Sequence, residues 1–78
     1  MTQIIKTYES AECNTFDVVV NDQVVAYYYE HFTNPESGEK LADPVFEIYY
    51  ELNEDGDFDA SLVTEDFEEI EEVIADLA

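Results

Sequence analysis

The sequence predicts an α+β domain in which an antiparallel sheet of three to four strands carries one C-terminal helix on a single face. Three observations carry that prediction. Residues 45–53 show the clearest alternation of apolar and polar side chains in the chain, residues 16–33 form two β-branched and aromatic runs joined by Asn21-Asp22, and residues 64–77 space their apolar side chains at helical intervals. The chain has 78 residues, read as one domain. A domain of that size buries only roughly 60% of the surface its unfolded chain exposes, so the core is expected to be thin. With 46% hydrophobic and 14% aromatic residues, it still has more to bury than an acidic disordered segment has.

Taken in order, Gln3 to Tyr8 is a possible extra edge strand in which neither face is distinctly apolar. Phe16 to Val20 and Gln23 to Thr33 then form a hairpin across a two-residue turn. With that turn, Val20 opposes Gln23, Val18 opposes Val25 and Phe16 opposes Tyr27, which puts Tyr29 on the same face and turns Val24, Tyr28 and Glu30 the other way. Residues 34–40 are rich in turn formers and read as an exposed loop, with Asp43-Pro44 resetting the chain before the next strand. In that strand Phe46, Ile48, Tyr50 and Leu52 share the core face, and Glu47, Tyr49, Glu51 and Asn53 face water. An acidic turn around Asp55-Gly56-Asp57 leads to a helix with Thr64 as expected N-cap, Glu65 and Asp66 complementing its N-terminus, and Phe67, Ile70, Val73, Ile74 and Leu77 on its apolar side.

The dominant chemical fact is 21 Asp and Glu against Lys6 and Lys40, a net charge of −19 with no arginine. Residues 1–40 hold seven acids and two lysines (net −5), and residues 41–78 hold fourteen acids and no base (net −14). Such self-repulsion opposes a compact state, so something other than folding favours it. A lone Cys13 excludes an internal disulfide and fits a reducing cytoplasm. The N-terminus lacks a signal-peptide pattern, and no 18-residue apolar run is present. The expected setting is cytoplasmic, away from anionic membranes.

No constellation supports catalysis. Acids are so numerous that no pair stands out as an acid/base couple, and no Gly-rich phosphate loop accompanies them. His31 lacks a second ligand at zinc spacing. Cys13, next to Glu12, sits where negative charge makes a thiol a poorer nucleophile. Residues 51–59 resemble the front of a calcium loop, but position twelve is Leu62 instead of Glu and the preceding element reads as a strand, which favours a simple acidic turn. Neither a cofactor nor a metal is expected.

The helix is more informative. Glu65, Asp66, Glu68, Glu69, Glu71, Glu72 and Asp76 have no basic residue three or four places away, so pairs such as Glu68 with Glu72 repel by roughly 0.2–0.5 kcal/mol each where a lysine would attract. A solvated helix face normally mixes signs, and this one does not. Carboxylates three or four residues apart rise roughly 4.5–6 Å along a helix, a spacing comparable to, without matching, the one phosphate charge per roughly 3.4 Å of duplex axis on each DNA strand. The candidate partner-binding set is therefore Glu65, Glu68, Glu69, Glu72 and Asp76, extended by Glu47 and Glu51 and by Asp55, Asp57 and Asp59. Tyr28 and Tyr49 join it as solvent-side rings able to stack on arginine.

Short length, near absence of Lys and Arg, an aromatic-rich sheet and acid-dense runs such as Thr64-Glu65-Asp66-Phe67-Glu68-Glu69-Ile70-Glu71-Glu72 give the chain a class-level character. In this it resembles the small phage-encoded DNA-mimic proteins, among them acidic anti-CRISPR, anti-restriction and uracil-DNA glycosylase inhibitor proteins. The resemblance implies a non-enzymatic inhibitor, in a phage-infected bacterium, that occupies the basic DNA site of a nuclease, CRISPR effector or repair enzyme without itself binding nucleic acid. Three alternatives stand beside it: a halophile's domain, against which thirteen Glu to eight Asp weighs; an interaction module that adds an edge strand to a partner; and a cation-binding turn at residues 51–59. A monomer or a homodimer is compatible with all of these.

Overall fold

A computed structural model describes residues 1–78 as one antiparallel meander followed by a helix. The strands are β1 (Thr2–Glu9), β2 (Cys13–Val20), β3 (Gln23–Thr33), β4 (Lys40–Leu52) and β5 (Phe58–Thr64), paired in chain order, and α1 spans Phe67–Leu77. The expected sheet and C-terminal helix are both present, with five strands in place of three to four. β5 escapes a periodicity reading because Ala60, Leu62 and Thr64 make a weak apolar face beside Asp59 and Ser61.

The β2–β3 turn is the two-residue turn expected, with Asn21 and Asp22 both left-handed (φ 51° and 66°) as a type I′ hairpin requires. Val20 and Val19 pair with Gln23 and Val24, again as expected. The register then shifts by one, because Val25 is an extra residue and Val18 pairs with Ala26. A β-bulge of this kind reverses the facing of everything beyond it. Phe16 therefore pairs with Tyr28, not Tyr27, and the expected facing of all three tyrosines is inverted.

The helix-side face contains the row Lys6, Phe16, Tyr28, Ile48 and Leu62, and the opposite, open face contains two rows: Ile5, Asp17, Tyr27, Tyr49 and Ser61, then Tyr8, Thr15, Tyr29, Glu47 and Val63. β3 and β4 pair at Thr33 with Lys40 and again at His31 with Val45, so residues 41–44 arch out of the ladder. Pro44, which has no N–H to donate, is accommodated in that arch. The strand thus begins well before the proline expected to precede it.

The core lies between sheet and helix. Val18, Ala26, Tyr28, Phe46, Ile48 and Ile70 are buried, with Phe16, Tyr50, Leu62, Val73, Ile74 and Leu77 packed around them. Phe16 stacks on Tyr28 (4.8 Å between centroids), and Phe67 meets Phe46 at 4.9 Å and Tyr28 at 6.1 Å, which seats the first turn of α1 on the aromatic strip. The helix N-cap is Asp66, whose carboxylate accepts the Glu68 N–H at 3.0 Å. Thr64, the cap expected from sequence, instead ends β5 and accepts the Asp66 N–H at 3.0 Å, turning the chain into the helix. No helix is long and apolar enough to cross a membrane.

Candidate functional site

Every acid from Glu65 to Asp76 is exposed, because α1 spends its apolar side on the sheet and leaves the remainder of its surface to carboxylates. None of them has a cationic partner. The chain's one lysine–carboxylate pair lies elsewhere, with Lys6 Nζ 3.6 Å from Glu9, as does the hydrogen bond between His31 Nε2 and Glu47 at 3.1 Å. Lys6 is further occupied with the Phe16 ring, 5.8 Å below it. Acids in the first turn, Glu68 and Glu69, suit the positive end of the helix, but no base offsets the negative end, where Asp76 stands.

Glu51 joins this surface, contrary to the strand alternation that placed it beside Glu47. Its backbone is left-handed (φ 62°), and it borders a shallow groove with Tyr50, Val73, Asp76 and Leu77. A non-glycine residue in this region breaks the two-residue repeat of the strand. The result is an acid carried from the sheet to the C-terminal end of the helix.

The β4–β5 turn is organised by Asn53. Its Oδ1 accepts the N–H groups of Asp55 (2.9 Å) and Asp57 (3.0 Å), and its Nδ2 donates to Asp59 Oδ1 (2.9 Å). Gly56 supplies the left-handed turn residue (φ 87°). The asparagine side chain thus ties down the loop that sequence treats as a row of acids. Asp55 and Asp57 project at its tip, Asp59 is held back, and no group of three or more Asp, Glu, His or Cys side chains anywhere converges as a metal site would.

Glu47 and Tyr49 lie across the sheet from the helix acids. Glu47 Oε1 is 3.1 Å from His31 Nε2, while its Oε2 accepts the Tyr49 hydroxyl at 2.5 Å. That hydrogen bond first, then burial and the nearby carboxylate charge, pushes the Tyr49 phenol up to about 12, since ionisation would lose the bond and set two anions together. Tyr27 stacks on Tyr49 (5.1 Å) and meets Phe58 edge-on (5.2 Å), and Tyr29 stacks on His31 (5.4 Å). Burial, with neighbouring Tyr27 and Glu47, also raises Tyr29.

Tyr28 is absent from this cluster. It is only 4% exposed, under the helix, where burial first and then Glu30 raise its phenol. The expectation that it meets solvent is corrected by the Val25 bulge, which brings Tyr27 and Tyr29 out in its place. The twelve candidate residues therefore divide. Glu65, Glu68, Glu69, Glu72, Asp76 and Glu51 share the helix side, Asp55, Asp57 and Asp59 belong to one turn, Glu47 and Tyr49 lie on the open face, and Tyr28 is core.

No protein-family model, curated protein or solved structure matches this chain.

Proposed function

We propose that the chain is a DNA-mimic inhibitor whose binding surface is the outer side of α1, continued by Glu51 and the tip of the β4–β5 turn. Its partner is a basic nucleic-acid-binding protein, of the nuclease, CRISPR effector or repair-enzyme kind, and its effect is to exclude DNA. One observation carries the reading: seven carboxylates from Glu65 to Asp76 are all exposed on and beside a single helix, and none has a cation within ion-pair distance. An anionic rod on a packed sheet offers a Lys/Arg groove charges already fixed in place, so binding releases counterions from both partners with little ordering of the inhibitor.

The test is capture of targets from bacterial lysate by tagged protein, with duplex DNA or raised salt as competitors. The expected result is one DNA-binding protein or complex, released by both. Substituting Glu68, Glu69 and Glu72 together by Gln lowers its affinity. A partner that ignores DNA, salt and the triple substitution refutes the proposal.

A further inference from the structure

The open face of the sheet is unusual for a face that meets water. A one-sided antiparallel sheet normally turns polar residues outward. Here the two rows crossing it carry three tyrosines at their centre, Tyr27, Tyr29 and Tyr49, and the exposed apolar side chains Ile5, Tyr8 and Val63 at their edges, Val63 with 62% of its surface free. In a chain of net charge −19 these rows contain only two carboxylates, and one of them, Glu47, is already hydrogen-bonded to both Tyr49 and His31. Tyrosine with little unpaired charge is the composition of an interface core, not of a solvated surface. A recess of about 250 Å³ walled by His31, Leu41, Val45 and Val63 gives the face relief into which a side chain can insert.

We propose that this face pairs two copies of the chain, sheet against sheet, leaving both acidic helices on the outside. Area supports a copy as occupant. The five strands, 7 to 13 residues long, rise about 3.3 Å per residue and lie about 4.8 Å apart, so the sheet is about 24 Å wide and about 31 Å long on average. The face therefore has a footprint of about 740 Å², close to the roughly 800 Å² per partner of a stable interface. Charge does not forbid it. Since the smallest extent of the molecule is 20 Å, the helix surfaces finish on opposite sides of the dimer at least about 40 Å apart, or about five Debye lengths at physiological salt. A basic partner, by contrast, finds its complementary charge on the helix side. The dimer and the helix-face complex use opposite sides of the molecule and respond to salt with opposite signs, so each is tested without the other: screening relieves repulsion between like copies and weakens attraction to a basic protein.

Sedimentation equilibrium of the full chain tests the pairing. The expected mass rises from 9.0 kDa to about 18 kDa as the concentration reaches roughly 100 µM, and the midpoint moves to lower concentration as salt is raised. Replacing both exposed edge residues, Val63→Glu and Ile5→Glu, weakens dimerisation about thirtyfold or more, because each copy then brings two unpaired carboxylates into the contact. Glu72→Lys, on the helix, leaves the dimer formed. Circular dichroism establishes that each variant retains its sheet. A single 9.0 kDa species at every salt concentration overturns the proposal, as does a dimer that survives both open-face substitutions.

Discussion

Glu72 stands four residues after Glu68 and four before Asp76, all three exposed on α1 and none paired with a cation. With exposed Glu69 three residues back, Glu72→Lys converts three like-charge contacts into three opposite-charge ones. Each lost repulsion and each gained attraction is worth roughly 0.2–0.5 kcal/mol, so the six contributions amount to about 1.2–3 kcal/mol of stabilisation. The lower half of that range is expected, because Lys preceding Asp is the weaker orientation along a helix. For a domain of this size about 1 kcal/mol raises the melting temperature by roughly 4–8 °C. Thermal unfolding followed by circular dichroism at low salt measures it, and a repeat at high salt must shrink the gain, since the pairs are solvent-exposed. A melting temperature that stays level or falls at low salt refutes the premise that these carboxylates repel in the folded chain. With it would go the inference that they are retained for a partner at the expense of stability.

Other expectations concern the sheet and its turns. Glu47→Gln removes the anionic acceptor of the Tyr49 hydroxyl, so the phenol should fall from about 12 towards its ordinary value of 10.0, seen as earlier tyrosinate absorbance; an unchanged titration refutes the hydrogen bond as the cause. Because the folded-state value is the higher one, the contribution of this contact to stability is full below pH 10 and is lost between pH 10 and about 12. Ile70→Ala empties a fully buried site between helix and sheet and should cost about 2–5 kcal/mol in urea unfolding; a loss under about 1 kcal/mol would mean that the helix is not packed as described. Asp22→Gly gives the turn the Asn-Gly pair that type I′ favours and should stabilise by up to about 1 kcal/mol, the roughly 1–2 kcal/mol of left-handed strain relieved being partly offset by the roughly 0.5–1 kcal/mol of extra chain entropy that glycine loses, whereas destabilisation would argue against the type I′ geometry.

Much of the acidic surface is legible from residue types alone. A helix whose apolar positions recur at Phe67, Ile70, Val73, Ile74 and Leu77 must put Glu68, Glu69, Glu72 and Asp76 elsewhere on its circumference, and no lysine is near enough in sequence to pair with them. The tyrosine face is less legible. Tyr27-Tyr28-Tyr29 places rings on both sides of the sheet whichever register is chosen, and nothing local in Val24-Val25-Ala26 marks the extra residue that decides between them. His31 meets Glu47 only through pairing of β3 with β4, so a search for neighbouring ligands along the chain passes over it.

What the amino-acid sequence determined by itself was what depends on short-range periodicity and composition. This covers the apolar alternation of β4, the Asn21-Asp22 turn, the C-terminal amphipathic helix and the uncompensated charge of residues 41–78. Tertiary structure alone decided what depends on long-range pairing. The bulge at Val25 buries Tyr28 and turns Tyr27 and Tyr29 outward, the left-handed Glu51 carries an acid round to the end of the helix, and β5 becomes a strand because β4 offers it an edge. The physical reason is the same in each case. A strand has a two-residue repeat, so a single inserted or left-handed residue exchanges its faces at small local cost, and the choice is made by whichever arrangement completes the core beneath the helix.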